Sequence, residues 1–520
     1  MANQSLFQSI RGRFVRPADT TNEAGGAAYT LSAEQELAQY AATGCMNSTF
    51  YASAESQLDR VLVLCSAVEP EFIARVALYT RGESRMKDLP ALLVAVLSVR
   101  SPGLMAEVFD RVIDSPRMLR TFVQIMRSGV VGRKSLGTLP KRLICQWLDR
   151  RSDEALFFAS VGNSPSMADI VKMVHPIPSS KSREAVFGYL IGRKHDAAAL
   201  PDVVSQFEAF KAGASTEVPD VPFQMLTALE LKSQDWIAIA RHASWQTTRM
   251  NLNTFARHGV FEDAEMVELL AQRLADPNEV RRSRVLPYQL LVAHAMTSSE
   301  VPEAIRHALE AALEVATANI PEIPGRTVLC LDVSGSMQSP ITGYRKGATS
   351  AVMCVHVASL FVASILRRNS LAEVIPFTEQ VVPVRINPRD TVMTNARMLA
   401  SLPSAGTNCS APLAELNRRK AKVETVIFVS DYESWIDTTS GWRRHATAMM
   451  QHWELIRQRC PNARLVCIDL QPYGTVQALD RADILNVGGF SDGVFDVVSR
   501  FVSTPADPQH WVDTINSVRI

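Results

Sequence analysis

TVLCLDVSGS, residues Thr327–Ser336, is a short apolar run that stops at an acid followed by a Ser-Gly-Ser turn. The run is too short for a helix and rich in β-formers, so it reads as a strand buried on both faces of a parallel sheet. Two runs of the same kind follow: ETVIFV at Glu424–Val429 and RLVCIDL at Arg464–Leu470. Helical patterns separate them: a long apolar one over Gly347–Leu366, a shorter one near Pro412–Arg419 and another across Trp442–Arg459. Strand–helix alternation predicts an α/β doubly wound, Rossmann-like sheet with helices on both faces.

Upstream the pattern is different. From about Leu31 to Ile320 apolar residues recur at helical spacing, as in Met105, Val108, Phe109 and Val112, with no strand alternation. Breaks at Pro90, Pro102, Pro116, Pro140, Pro165, Pro201 and Pro277 divide this all-α region into helices of about 10–18 residues joined by short turns. No strict repeat is visible, so pattern alone leaves a solenoid of helix pairs open. The junction Pro321-Glu322-Ile323-Pro324 marks the boundary between domains 1–324 and 325–520.

A chain of 520 residues exceeds one core, and 47% hydrophobic with 21% charged residues is ordinary globular composition. Mean hydropathy is +0.02, and no apolar run approaches the ~18 residues of a membrane span, so a soluble protein with no membrane partner is expected. The start MANQSLFQSIRGRFVRP lacks the apolar centre of a signal peptide, which predicts a cytoplasmic location. Eight cysteines are scattered singly, without a C-x-x-C, and read as buried thiols of a reducing compartment.

The first strand ends in Asp332-Val333-Ser334-Gly335-Ser336, at the carboxyl edge where ligands bind in doubly wound folds. One carboxylate and two hydroxyls in a tight turn are hard oxygen donors, suited to Mg²⁺ or Mn²⁺. Alone, this turn is as well explained by capping. Thr407, in a turn before a helix, and Asp431, directly after the strand ETVIFVS, complete a metal set of Asp332, Ser334, Ser336, Thr407 and Asp431. No G-x-S-x-G, H-E-x-x-H or G-x-x-x-x-G-K-[ST] occurs, and an aspartyl-phosphate phosphatase would have its second acid where Ser334 stands. No catalytic residues and no enzyme activity are expected.

The metal constellation resembles the metal-ion-dependent adhesion site of von Willebrand A domains. That likeness implies that the hydroxyls bind the ion, that the aspartates act largely through waters, and that one position stays open for an acidic group of a protein ligand. Asn408 departs from the acid often found after the threonine there.

Net charge is +1, but residues 101–200 hold 15 Lys+Arg against 9 Asp+Glu, and 201–320 hold 10 against 16. Two segments carry the excess. Residues 127–142 contain Arg127, Arg133, Lys134, Lys141 and Arg142 with three glycines and no acid. Residues 172–183 combine Lys172, His175, Ser179, Lys181 and Arg183 with a stiff His-Pro-x-Pro loop, and Ser179 and Ser180 as helix caps. Glycines let a backbone approach a phosphate chain, and a helix N-terminus with Lys is a phosphate seat. Solvated helix faces and salt-bridged arginines explain the same residues without a ligand.

The order of these features resembles the Ro autoantigen family and its TROVE module. Further matches are Arg13-Phe14-Val15-Arg16-Pro17, Arg284-Val285-Leu286-Pro287-Tyr288, Ala405-Gly406-Thr407-Asn408-Cys409-Ser410-Ala411-Pro412 and Gly488-Gly489-Phe490 with Asp492. The resemblance implies HEAT-like helical repeats closed into a ring by the von Willebrand A domain. It also implies a hole that admits single-stranded 3′ ends of misfolded noncoding RNAs, and Y RNA on the outer surface near Arg133 and His175. A monomer and association with a 3′ exoribonuclease are expected on the same ground. The competing reading is a metal-dependent protein-ligand adaptor, in which the helices only scaffold the α/β domain.

Overall fold

The computed structural model describes residues 17–22, 25–43, 53–84, 86–283, 285, 287–317, 320, 322–341, 344, 352–434, 446–471, 475–479, 481, 483–488, 494, 498–499, 501–502 and 510–520. Its strands in chain order are β1 (Thr20–Thr21), β2 (Ala27–Thr30), β3 (Thr327–Asp332), β4 (Glu373–Phe377), β5 (Thr425–Ser430), β6 (Arg464–Asp469), β7 (Thr475–Val476) and β8 (Ile484–Gly488). The sheet is parallel, in the order β4-β3-β5-β6-β8. The chain steps from β3 outward to β4, then crosses back to β5, so its topological switch point lies at the carboxyl ends of β3 and β5.

The three strands expected from sequence are the central ones. Both faces of β3 and β5 are fully buried, which is why they read as unbroken apolar runs. The edges escaped notice for a physical reason: β4 carries Pro376, tolerated only where a backbone N–H is not needed by a neighbour, and β8 is interrupted by Asn486 and Gly488. The helix Cys354–Arg368 covers one face together with Val392–Ala400, while Ala411–Arg418 and Ala448–Arg459 cover the other. The expected starts at Gly347 and Trp442 lie outside the described residues. On the second face Val328, Cys330, Val426, Phe428 and Leu465 pack with Leu413, Leu416 and Trp453.

The core of this face is completed from far upstream. β1 and β2 form an antiparallel hairpin, β2 pairs with β7, and Ala27, Tyr29 and Leu31 join the cluster around Trp453. The helix Ala33–Thr43 then lies on β8, with the Gly488 backbone against Gln39. Residues 1–89, 286–292 and 317–519 accordingly form one compact unit, and 90–285 with 293–316 another. A cut at 324/325 would instead assign residues 1–89 to the helical domain. Nothing local in the hairpin announces that its partner strand lies more than 400 residues away.

Among its described residues the second unit contains helices and 3-10 turns and no strand. The prolines mark helix starts rather than ends: Pro102, Pro116 and Pro277 open their helices, Pro90 and Pro140 sit in first turns, and Pro201 is an N-cap. Several helices are shorter than the expected span, such as Asp153–Phe158 and Trp245–Met250, because serine caps divide segments the prolines leave whole. Met105, Val108, Phe109 and Val112 are wholly buried, and Phe109 meets Phe122 edge-on at 5.2 Å. The seven described cysteines are free thiols; Cys45 lies outside the described residues. No helix among the described residues is long and apolar enough to cross a membrane.

A Cβ on Gly488 would lie 2.6 Å from Gln39 Oε1 and 2.7 Å from its carbonyl oxygen. Gly488→Ala should therefore destabilise the α/β unit by about 1–3 kcal/mol, read from the urea midpoint. An unchanged midpoint would mean that the helix on β8 is not held in place by this contact.

Candidate functional site

The five oxygen-bearing residues predicted from sequence come from three loops at the carboxyl edge of β3 and β5. Asp332 ends β3, and its Oδ1 accepts from Ser334 N at 2.8 Å, closing the turn that points both serines inward. Ser334 Oγ and Ser336 Oγ are 3.3 Å apart, and Asp431 Oδ1 accepts from Glu433 N at 3.4 Å. The loop bearing Thr407 is tied to this turn by Gly335 N donating to Ala405 O at 2.9 Å. Asp332, Ser334, Ser336, Thr407 and Asp431 are all buried. Asn408 does not face the cluster as an acid substitute: its N donates to Thr378 O, its Nδ2 to Glu379 O, and its Oδ1 accepts from Ser410.

Sequence reading missed Ser430. Its hydroxyl donates to Asp332 Oδ2 at 2.5 Å and accepts from Tyr432 N at 2.9 Å, so it welds β3 to the loop after β5. Within β5 it looks like an ordinary strand end. Tyr432 takes a left-handed backbone, φ 57°, which costs a bulky residue about 1–2 kcal/mol and turns the chain sharply after Asp431.

Burial is the first cause that raises the Asp332 carboxyl to about 7, and repulsion from Asp431 is the second. Burial likewise raises Asp431, and Asp469 at the end of β6. Asp431 Oδ2 is buried without a hydrogen-bond partner among the described residues. A hard divalent cation fits this donor set: it would supply the missing partner and neutralise two carboxylates that repel each other. No group of three or more His, Cys, Asp or Glu side chains that could hold a metal ion occurs among the described residues, so hydroxyls would have to complete any ligand set here.

The predicted basic residues separate into two kinds. Arg127 ends the helix Pro116–Ser128, Lys141 and Arg142 lie on Thr138–Asp149, Lys172 and His175 end Met167–Val174, and Lys181 opens Lys181–Leu190; all are exposed. The helix Met167–Val174 packs against each of the other three, bringing Pro116–Ser128 and Thr138–Asp149 to the helix Lys181–Leu190 that follows it. His175 has a left-handed backbone, φ 52°, that starts the Pro-Ile-Pro loop, where Ile177 is 92% exposed. Lys134 is exposed, with its methylenes across Gly129.

Arg133 and Arg183 are engaged with the protein's own carbonyls. Arg133 is half-buried and donates to Ser98 O at 3.1 Å and Leu136 O at 3.3 Å. Arg183 is buried, paired with Asp153, and donates to Leu148 O at 2.9 Å and Arg151 O at 2.5 Å. Of the two expected caps, Ser180 is the one used, accepting from Arg183 N at 3.0 Å; Ser179 is exposed just before it. Of the other sequence matches, residues 13–16, Arg284, Leu286, Gly489, Phe490 and Asp492 lie outside the described residues.

Comparison with known proteins places this chain. Residues 326–502 match the Ro60 vWA domain and residues 133–303 match the TROVE domain. The chain is 26% identical over 517 residues to the RNA-binding protein RO60 of Deinococcus radiodurans, covering 92% of this chain and 94% of that one. It is 25% identical over 257 residues to the RNA-binding protein RO60 of Caenorhabditis elegans, covering 46% and 37%. The crystal structure of the Deinococcus radiodurans RO (RSR) protein superposes with a TM-score of 0.62 at 22% identity, covering 91% of this chain and 99% of that one.

Two consequences are measurable. In chelator, the native state keeps a proton on Asp332 up to about 7, whereas the unfolded carboxyl releases it near 4. Thermal stability should therefore fall as pH rises between those values, and Asp332→Asn should flatten the profile and exceed the parent above it. A flat parent profile would contradict the buried, repelling pair. Separately, Arg183→Met strips a buried ion pair and two carbonyl bonds and should cost about 3 kcal/mol in urea unfolding. Lys172→Ala should stay within about 0.5 kcal/mol of the parent.

Proposed function

Because this chain belongs to the Ro family, a TROVE domain followed by a Ro60-type vWA domain, we propose that it is an RNA-binding protein acting in noncoding-RNA quality control. The observation that carries this reading is the convergence of Arg127, Lys141, Arg142, Lys172, His175 and Lys181 around one short helix, all of them exposed. Exposed cations on packed helices meet phosphates without the cost of first breaking buried ion pairs, and phosphate contacts give affinity with little sequence preference. Ser179 and Ser180, at the start of Lys181–Leu190, add hydroxyl and backbone donors to the same edge.

In this reading the basic surface binds a small structured RNA of the Y type, and a ring closed by the two domains admits the single-stranded 3′ end of a misfolded RNA. A 3′ exoribonuclease would receive RNAs presented in this way, and the chain would act as a monomer. The α/β unit holds Mg²⁺ or Mn²⁺ through Ser334, Ser336 and Thr407, with Asp332 and Asp431 neutralising its charge. When bound, the ion supplies an open coordination position for an acidic group of a protein ligand. The orphaned Asp431 oxygen is what favours this second site.

The deciding experiment measures binding of one structured RNA, with and without a single-stranded 3′ tail, across a salt series. Affinity should fall steeply with salt, and each phosphate contact removed, as in Lys172→Ala, should lower the salt slope by about one. Equal binding with and without the tail would argue against a strand-accepting hole. Asp332→Ala should weaken divalent-ion binding and leave RNA affinity largely intact. Loss of both together would overturn the two-site reading, and no RNA binding at all would leave the metal-dependent adaptor.

A further inference from the structure

The N-terminal hairpin does more than fill the core beside β7: its turn touches the loop that carries Asp431. Asn22 is 6% exposed and folds the turn onto itself, its N donating to Gly26 O at 2.9 Å and its Oδ1 accepting from Gly26 N at 2.7 Å. That leaves the amide Nδ2, which donates to Ser434 O at 2.8 Å in a buried position. Gly26 lies so close to the same carbonyl that a Cβ there has no room.

Ser434 is the pivot between two metal-site loops. Its N donates to Tyr432 O at 3.0 Å, closing the turn that starts at Asp431. Its Oγ accepts from Cys409 N at 3.3 Å, two residues beyond Thr407. One amide from residue 22 therefore fixes the carbonyl of a residue whose own N–H and hydroxyl set the Asp431 loop and the Thr407 loop.

We propose that Asn22, seated by Gly26, is a positioning residue for the cation site: the N-terminal hairpin holds the Asp431 and Thr407 loops at the spacing the ion requires. This rests on the metal reading of the site for its ligand but not for its geometry. Buried, already hydrogen-bonded partners lose little entropy when an ion arrives, so removing the tether lowers affinity by letting the two loops relax apart.

The test compares full-length Asn22→Ala with the parent and with Tyr29→Phe. The latter removes a hydroxyl of the same hairpin that accepts from Thr447 N at 3.4 Å, away from Ser434. Mn²⁺ affinity is read from the free-ion EPR signal, and backbone hydrogen exchange is followed in peptides covering 405–412 and 430–434. Asn22→Ala should weaken Mn²⁺ binding about tenfold, roughly what one good hydrogen bond is worth, and speed exchange in both peptides. Tyr29→Phe should change neither. If Asn22→Ala disturbs the whole hairpin, Asn22→Asp keeps the acceptor for Gly26 N but sets an oxygen in place of the donor to Ser434 O, and should show the same two effects despite its added negative charge.

Parent-like Mn²⁺ affinity in the Asn22 variants, whatever their exchange, would overturn the proposal and leave the metal reading standing. If the parent itself binds no Mn²⁺, the metal reading fails. The proposal then falls with it, and exchange reports only on the order of the two loops.

Discussion

Two carboxylates buried at the ends of neighbouring parallel strands set the terms for the α/β unit. Asp332 and Asp431 lie at β3 and β5, where the chain reverses its direction of winding, and neither faces a cationic side chain within the donor set described above. Water cannot solvate them there, so the unit must hold a proton or accept a cation. The surrounding hydroxyls of Ser334, Ser336 and Ser430 soften the repulsion without removing it.

The helical unit solves a different electrostatic problem, that of its cations. Its arginines divide by what their guanidinium groups can reach. Arg183 and Arg133 turn inward and donate to carbonyls at helix ends and turns. Arg127, Arg142 and the lysines around them remain in water, where their charge is free to act at a distance. A fork of five donors suits the inward task better than an ammonium would, and both inward residues are arginines.

The two ends of the chain meet inside one core. The hairpin Thr20–Thr30 and the helix after it close faces of the sheet that the C-terminal segment leaves incomplete, so the α/β fold draws on residues on both sides of the helical unit. Buried bonds at Asn22, Gly26 and Ser434 tie the N-terminal segment to the loops after Asp431 and Thr407.

How much of this could be read from sequence follows from the range of the forces involved. The central strands, the helical character of residues 31–320 and the D-x-S-x-S turn are local signals, because side-chain period and turn chemistry act over a few residues. Asp332, Ser334, Ser336, Thr407 and Asp431 were legible together since each follows its own strand or precedes its own helix in a fixed order. The edge strands were not, because Pro376 and Gly488 are permitted there only by what does or does not pair with them. Nor could sequence divide Arg183 from Lys172, since which cation is buried depends on which carbonyls lie within its reach. The membership of residues 1–89 in the α/β unit was decided by tertiary structure alone: strand pairing and core packing act across any sequence distance and leave no mark on the residues nearby.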